Sequence, residues 1–338
     1  MKIVIAGGTG FLGRPLADRL AANGHALVLL SRRPPTGDHG AAVVRGAVSQ
    51  AVSQAVSQVG HVGSGAGSRV GRSAVRTVAW TPDGSSGPWA REVDGADAVV
   101  NLAGESIAAR RWTAAQKTRI VDSRVLATQS LAEAIRQAAA PPSVLISGSA
   151  VGYYGPCGDE QVTETTRSGH DFLADVCVRW ETEARRAASV QTRVVTLRTG
   201  IVLARDGGAL PKMLPPFWFG VGGPVGSGRQ YWPWIHRADW LTLVQWAIET
   251  PAVSGPLNVT APTPVTNRVL ATALGHAMHR PAWMPTPGFA LTLLLGEMAE
   301  GLLLSGQRAV PETAERLGFR FAYPQLDAAL ADLFKQRE

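Results

Sequence analysis

The feature that most constrains this chain is a short apolar strand that runs directly into a glycine-rich turn and a helix. Residues 2–6 form a β-branched apolar run, and glycines follow at Gly7, Gly10 and Gly13. A helical pattern of apolar residues comes next, and a second apolar run at residues 26–30 completes a β-α-β unit. This order predicts a parallel sheet whose first turn binds the phosphates of a dinucleotide.

Each glycine of the turn has its own steric role. One permits the tight turn, one lets the backbone approach the pyrophosphate, and one lets the helix pack on the strand, while the amides at the helix N-terminus bind the phosphates. The predicted phosphate-binding residues are Gly7, Thr9, Gly10, Phe11, Leu12 and Gly13.

The end of the second strand indicates which dinucleotide binds. A site for NAD places a carboxylate there for the ribose 2′-hydroxyl, but this chain has Arg32 and Arg33 and no acidic residue before Asp38. Two guanidinium groups suit a 2′-phosphate, and the alternative is that they are solvated surface charges. We therefore expect NADP(H) as the cofactor.

The order of predicted strands and helices changes near residue 200. Before it, strands and helices alternate, which predicts a doubly wound parallel α/β sheet, the Rossmann fold, over residues 1–200 as the NADP(H)-binding domain. After it, loops rich in Pro, Gly and Trp separate helices, and residues 201–338 are predicted to form a smaller C-terminal α+β substrate or cap region. Within this region, residues 289–304 are interpreted as a core-facing amphipathic helix.

Residues 36–75 interrupt the first domain with a segment of low complexity. Ala-Val-Ser-Gln occurs three times in tandem at residues 47–58, and a stretch rich in Gly and Ser follows. Such a composition offers little to bury, so the segment is predicted to be a surface insertion without a catalytic role.

Charge does not indicate a nucleic-acid partner. The formal net charge is +7 and the pI is about 10.0, but the basic residues are nearly all Arg and are scattered without a run longer than a pair. A nucleic-acid surface normally needs clustered charge, so we expect no nucleic-acid binding and an anionic small ligand instead.

Cysteine, histidine and hydropathy patterns exclude several further classes. Two cysteines give no disulfide framework, and His276 and His279 have no third ligand, so we expect a reducing compartment and no metal. A strand-like run starts at Lys2, and Glu297 and Glu300 interrupt the longest apolar stretch. We therefore expect no secretory signal, no membrane segment and no membrane partner. The predicted location is the cytoplasm.

Two groups of motifs are spread along the chain. The first comprises residues 7–13, 101–105, 147–155 and 197–200, and the second comprises residues 111–113, 123–124, 234–236, 258–262, 296–297 and 318–319. The first group is similar to extended short-chain dehydrogenase/reductases, the NAD-dependent epimerase/dehydratase superfamily. The second group resembles the "epimerase family protein" branch, which has its own C-terminal domain of unknown function. The match covers nearly the whole chain except residues 36–75.

The resemblance implies positions for the cofactor and for the chemistry. The adenosine end lies at Arg32 and Arg33, and Ser149 falls at the active-site serine, where it either hydrogen-bonds the substrate or merely caps the strand-end turn. The middle of the cofactor is expected along Leu102, Ala103 and Gly104. The remaining residues predicted at the cofactor site are Glu105, Arg124 and Ser147.

One departure from the superfamily is marked. Its members have a Tyr and, four residues later, a Lys that lowers the Tyr pKa for acid/base catalysis. None of the four tyrosines here has a Lys at that spacing, and the corresponding positions are Leu173 and Cys177, which we interpret as packing residues. Tyr153 and Tyr154, beside Ser149, are therefore the candidate acid/base groups.

Two hypotheses follow from these residues. The first is an NADP(H)-dependent oxidoreductase or epimerase-like enzyme with an unknown small-molecule substrate. The second, motivated by the missing Tyr/Lys pair, is a non-catalytic NADP(H)-binding sensor or scaffold. The sequence is compatible with a homodimer under either hypothesis.

Overall fold

A seven-stranded parallel sheet forms the centre of the computed structural model, which describes residues 1–33 and 74–335. The strand order is β11-β7-β5-β4-β1-β2-β3, so the chain reverses its direction of travel between β1 and β4. The predicted doubly wound α/β fold is confirmed. The seven strands are β1 (Lys2–Ala6), β2 (Ala26–Ser31), β3 (Val75–Ala79), β4 (Ala98–Asn101), β5 (Val144–Ala150), β7 (Arg193–Thr199) and β11 (Gly255–Val259).

Helices cover both faces of the sheet, and two of them begin at side-chain caps. The side chain of Thr113 accepts a hydrogen bond from the amide of Gln116, and that of Asp171 accepts one from Ala174. Each satisfies an amide that has no partner within its helix. Three helices contribute to the cofactor and active-site regions: α1 (Gly13–Ala22), α2 (Ala114–Gln137) and α3 (Phe172–Arg185).

Strand β1 shows why both layers are needed. Ile3 and Ile5 pack into the apolar cluster on one side of the sheet, and Val4 packs into the cluster on the other side, where Leu131 of α2 also lies. All four side chains are fully buried. A strand with two apolar faces is typical of a parallel sheet between helical layers.

The chain after residue 200 builds further elements and also returns to the sheet. Its strand β11 pairs with β7, and a third apolar cluster surrounds Trp234. The division at residue 200 therefore stays a prediction. The remaining elements are the short strands β6 (Gln161–Val162), β8 (Ile201–Leu203), β9 (Tyr231–Trp232), β10 (Trp234–His236), β12 (Val265–Thr266) and β13 (Arg308–Ala309), and the helices α4 (Leu210–Trp218), α5 (Arg237–Glu249), α6 (Asn267–Met278), α7 (Gly288–Leu295), α8 (Glu297–Ala299), α9 (Glu312–Arg316) and α10 (Leu326–Phe334).

The prediction of one core-facing helix over residues 289–304 is wrong. Gly296, with φ +64°, ends α7 and separates it from α8 and from a π-helical turn at Glu300–Leu304. None of the eight residues of α7 is buried. The physical reason is that apolar residues surround α7 instead of lining one face, so its composition does not specify a face that meets the core.

Residues 34–73 lie outside the described part of the chain. The predicted insertion at 36–75, with its repeats at 47–58, falls there except for its last two residues, of which Val75 begins β3. Within residues 1–33 and 74–335, no helix combines the length and the apolar character that crossing a bilayer requires.

Candidate active site

The glycine-rich turn lies against the end of β4, at the point where the strand order reverses. Gly7 has φ +80°, and a Cβ atom added there would be 2.6 Å from the carbonyl carbon of Leu102 and 2.8 Å from the amide nitrogen of Ala103. A Cβ on Gly13 would overlap the carbonyl of Gly7. Only glycines permit this contact between the turn, the start of α1 and the β4 end.

The start of α1 has the properties of a phosphate site. The amide of Gly10 donates to the carbonyl of Gly7 at 3.0 Å, which closes the turn, and within the described residues no side chain caps the helix at Leu12. Thr9 and Gly10 are exposed. Free amides at a helix N-terminus attract anions, so the turn fits a pyrophosphate.

Phe11 has a different environment from its neighbours in the turn. A Cβ on Gly208 would lie 2.8 Å from the Phe11 ring, and one on Gly207 would be as close. The Arg237 guanidinium carbon lies 5.8 Å from the centre of the same ring. Phe11 therefore packs the predicted phosphate turn against the loop that follows β8.

Arg32 and Arg33 follow β2, the strand beside β1. The Ser31 hydroxyl accepts a hydrogen bond from the Arg33 amide at 3.2 Å and lies 3.1 Å from the Arg33 carbonyl oxygen. This turn leaves both arginines exposed at the carboxyl end of the sheet. They lie on the side of the glycine turn where the adenosine end is expected.

The turn after β4 is fixed by a buried amide. Asn101 Oδ1 accepts from the Ala103 amide at 3.1 Å, and Asn101 Nδ2 donates to the Thr128 hydroxyl of α2 at 2.8 Å. The Leu102 amide donates to the Ala6 carbonyl at 2.9 Å. These bonds hold Leu102 and Ala103 against the glycine turn.

Of the other predicted cofactor residues, Arg124, Glu105 and Ser147 have three different environments. Arg124 donates to the carbonyls of Glu105 and Ile120, both at 3.0 Å, and burial lowers its pKa. It lies against Gly104, whereas the Glu105 carboxylate turns toward α2 and accepts from Gln116 at 3.0 Å. Ser147 is fully buried, so its side chain presents no surface to a ligand.

A buried ion pair supports Ser149 at the end of β5. The Ser149 hydroxyl donates to Glu181 Oε1 at 2.8 Å, and Arg198 donates to both oxygens of the same carboxylate at 2.9 and 3.0 Å. Glu181 is fully buried and Arg198 is 3% exposed. The bidentate geometry compensates the two charges, and the carboxylate orients the Ser149 O–H bond toward itself.

Tyr154 belongs to the same buried network. Its hydroxyl donates to Asn258 Oδ1 at 2.6 Å and accepts from Arg198 Nη1 at 3.1 Å. Burial raises the pKa of Tyr154 to about 12, against the opposing effect of the Arg198 charge. The Tyr154 hydroxyl therefore both donates and accepts a hydrogen bond within the protein.

Tyr153 occupies the outer side of the network and is only half-buried. The Arg198 guanidinium carbon lies 3.5 Å from the centre of its ring, a cation-π contact, and the Gly169 amide donates to its carbonyl at 2.9 Å. These contacts fix the turn at Val151–Tyr154. Of the two tyrosines, Tyr153 is therefore the partly exposed one, whereas Tyr154 is buried.

Leu173 and Cys177, which the resemblance sets at the superfamily positions of Tyr and Lys, are both buried. Leu173 packs in a cluster with Trp112 and Met298. The Cys177 thiol points at the carbonyl of Ala150, and burial raises its pKa to about 12. The interpretation of both positions as packing is confirmed.

Other ionisable groups are used away from this region. Lys117 forms an ion pair with Glu297 at 2.5 Å. Across the described ranges, no three His, Cys, Asp or Glu side chains approach one another as a metal site would require. Glu181 and Arg198 were not predicted as site residues. The signal was Glu181 itself, because an acidic residue on the apolar face of a helix normally requires a buried basic partner.

Comparison with known proteins agrees with this geometry. The sequence model of the NAD dependent epimerase/dehydratase family matches residues 3–259. The chain belongs to the NAD dependent epimerase/dehydratase family. A second model, of a C-terminal domain of unknown function (DUF1731), matches residues 286–333, so the predicted resemblance to this family and to its branch is confirmed.

Relatives within the family extend over nearly the whole chain. Epimerase family protein Mb2239 of Mycobacterium bovis is 39% identical over 329 residues, which are 97% of this chain and 96% of that protein. Epimerase family protein SDR39U1 of Homo sapiens is 34% identical over 336 residues, 98% of this chain and 99% of that one.

Solved structures agree with the fold of this family member. A crystal structure of human epimerase family protein SDR39U1 (isoform 2) with NADPH has a TM-score of 0.81 and 33% identity, and covers 99% of both chains. The nucleoside-diphosphate sugar epimerase from Corynebacterium glutamicum has a TM-score of 0.72 and 30% identity over 99% of this chain and 58% of that longer one.

Proposed function

We propose that this chain is an NADP(H)-dependent oxidoreductase or epimerase-like enzyme that acts on a small-molecule substrate. One observation carries the proposal: the glycine turn, the uncapped start of α1 and the β4 end meet where the strand order reverses. Ligands of open α/β sheets bind at this crevice. The human relative that was crystallised with NADPH adds support.

The cofactor would lie across backbone groups, with arginines at one end. The turn at Gly7–Gly13 would bind the pyrophosphate, Arg32 and Arg33 would bind the 2′-phosphate, and Leu102–Gly104 would contact the middle of the molecule. When bound, NADP(H) supplies or accepts the hydride. Arg124 acts through its hydrogen bonds to the chain, which stiffen the wall behind Gly104.

The chain's own contribution is proton transfer and orientation at Ser149 and Tyr153. Because the Ser149 hydroxyl donates to Glu181, its oxygen, in a side chain that is 6% exposed, would accept from a substrate hydroxyl instead of donating to it. Tyr153 would exchange the proton with the substrate oxygen, and Arg198 beneath its ring keeps the phenol in place. Tyr154 serves as support.

A second candidate function is a non-catalytic NADP(H)-binding sensor or scaffold. The buried Leu173 and Cys177, at positions that superfamily enzymes use for Tyr and Lys, favour it. Oxidation of bound NADPH by a substrate in a single turnover separates the two functions. We place either function in the cytoplasm, in agreement with the free thiols of Cys157 and Cys177.

The test is a screen followed by matched tyrosine variants. Aldehydes, quinones and nucleotide sugars are mixed with the protein and NADPH, and oxidation is followed by absorbance. With a substrate in hand, Tyr153→Phe should lower turnover by about 10²–10⁴-fold, the magnitude of general acid/base catalysis, and leave NADPH affinity unchanged.

Tyr154→Phe is the matched control, because it removes the neighbouring hydroxyl. It should cost about 1–3 kcal/mol of stability by leaving Asn258 and Arg198 with an unmade hydrogen bond, while turnover stays within a few-fold. Normal turnover of Tyr153→Phe would rule out its proposed role. No oxidation of any carbonyl in the screen would favour the sensor or scaffold.

A further inference from the structure

A large apolar surface lies in the C-terminal region and plays no part in the proposed chemistry. Phe219, Phe289 and Leu293 are about four-fifths exposed, at 81%, 79% and 80%. Soluble proteins rarely expose contiguous apolar patches of this kind without a partner. We call this surface the apolar patch, and its members are Trp218, Phe219, Val221, Trp283, Met284, Phe289, Leu293 and Leu294.

Backbone contacts show that the segments that carry the patch are neighbours. The segment after α4 runs beside the segment before α7, because the Met284 amide donates to the Gly222 carbonyl at 3.1 Å and the Thr286 amide donates to the Pro224 carbonyl at 2.8 Å. A Cβ added to Gly288 would meet Gly226 at 3.9 Å, so the start of α7 lies beside them. The exposed apolar residues of the patch therefore come from adjacent segments.

Helix α7 is the most unusual part of the patch. Its sequence has no charged residue, and none of its side chains is buried. A helix that is apolar all round normally lies in a core or a membrane. Here the protein holds such a helix at its surface, between Pro287 and Gly296.

The border of the patch is cationic. Residues 210–229 and 276–296, which carry all eight members, contain no Asp or Glu but include Lys212, Arg229 and Arg280, all three exposed. The next residue, Glu297, is paired with Lys117, and Glu300 lines the same cavity as Arg229. The Arg280 amide donates to the Gly275 carbonyl at 2.9 Å, and a Cβ on Gly220 would lie 3.9 Å from Pro281, so Arg280 lies near the residues that follow Phe219.

We propose that the apolar patch docks on the surface of a membrane that contains anionic lipids. Trp, Phe and Leu side chains enter the boundary between headgroups and acyl chains, and basic residues at the border attract anionic headgroups. This association is peripheral and requires no spanning helix, and none was found among the described residues. It replaces the expectation from the sequence that the chain has no membrane partner.

Charge favours a membrane over a second copy of the chain as the partner. A twofold contact through the patch would bring the same border against itself, with Lys212 and Arg280 on both sides, and the adjacent carboxylate of Glu297 is already paired with Lys117. An anionic bilayer supplies the opposite charge and an apolar layer of the required kind.

The full-length protein is mixed with vesicles of phosphatidylglycerol and phosphatidylcholine, and with vesicles of phosphatidylcholine alone, and bound protein is measured by sedimentation. We expect binding to the first vesicles only, weakened by salt. Phe289→Ser/Leu293→Ser should weaken it by about tenfold or more. Val190→Ser is the matched control, because Val190 is fully exposed in the turn before β7, and it should bind normally.

The cationic border is tested in the same assay. Lys212→Gln/Arg280→Gln should weaken binding by about tenfold or more, whereas Arg316→Gln/Arg320→Gln, which removes two exposed arginines around α9, should have little effect. Melting temperature and NADPH affinity verify that each variant folds. Failure to bind anionic vesicles, equal binding to both kinds, or patch variants that abolish a dimer in light scattering without changing vesicle binding would each overturn the proposal.

Discussion

The two ends of the carboxyl edge of the sheet are built on opposite principles. At the β1–β4 end, backbone groups pack closely and glycines leave no room for side chains, since a Cβ added to Gly7 would lie 2.6 Å from the carbonyl carbon of Leu102. At the β5–β7 end, buried side chains from distant segments form an ion pair and hydrogen bonds around Glu181. The first end should therefore be sensitive to added atoms, and the second to a lost charge.

The largest effect is expected at the charged end. Glu181→Gln keeps the shape of the side chain but leaves the Arg198 guanidinium buried without a counter-charge. Breaking a buried pair in this way costs about 3–5 kcal/mol. Chemical denaturation should show this loss of unfolding free energy, and NADPH affinity measured well below the transition should change little.

Arg185→Gln is a control on the same carboxylate. Arg185 approaches Glu181 at 3.5 Å but is 56% exposed, so water replaces the contact and the loss should stay below about 1 kcal/mol. Equal losses of unfolding free energy in Glu181→Gln and Arg185→Gln would mean that the buried Arg198–Glu181 pair contributes no more than the exposed Arg185–Glu181 pair. The β5–β7 end would then not depend on a buried charge.

At the glycine end, a single methyl group should have the opposite effect. Gly13→Ala places a Cβ on the carbonyl of Gly7, so the turn must shift away from the phosphates. We expect NADPH to bind about 10–100-fold more weakly, as read by a fluorescence titration.

Gly24→Ala serves as the comparison for that measurement. Its φ of +85° makes any side chain strained, but a Cβ there meets no atom within 4 Å among the described residues. It should lower stability by about 1 kcal/mol and leave NADPH affinity intact. If it weakened NADPH as much as Gly13→Ala, general destabilisation would explain both results.

The same contrast explains which parts could be predicted from the sequence. The glycine turn and the Thr113 cap are local, so residues a few positions apart specify them. The contact of Ser149, Glu181 and Arg198 joins β5, α3 and β7, and no short spacing encodes it. Helix α7 was misplaced because apolar composition does not tell whether another element of the chain covers a helix.

A smaller effect is expected from pH at the charged end. Burial raises the pKa of Cys177 from 9.0 to about 12, so the unfolded chain releases this proton before the folded chain does. Stability should therefore fall as pH rises above about 9, by at most about 1.4 kcal/mol per pH unit. Cys177→Ala should flatten this slope between pH 8.5 and 10 in denaturation experiments.

Cys157→Ala is the control, because partial burial raises the pKa of Cys157 in the same direction. Its effect on the slope should be the smaller of the two, since Cys157 is only partly buried. An unchanged slope in Cys177→Ala would contradict the assignment of the alkaline transition to this thiol.

The cofactor itself gives the most direct test of the proposed function. Titration of the protein with NADPH and with NADH, followed by fluorescence, compares two ligands that differ only in the 2′-phosphate. We expect NADPH to bind at least about tenfold more tightly, and Arg32→Ala/Arg33→Ala to remove this preference by weakening NADPH alone. Equal affinities for the two cofactors, or a preference that survives in the double variant, would contradict the assignment.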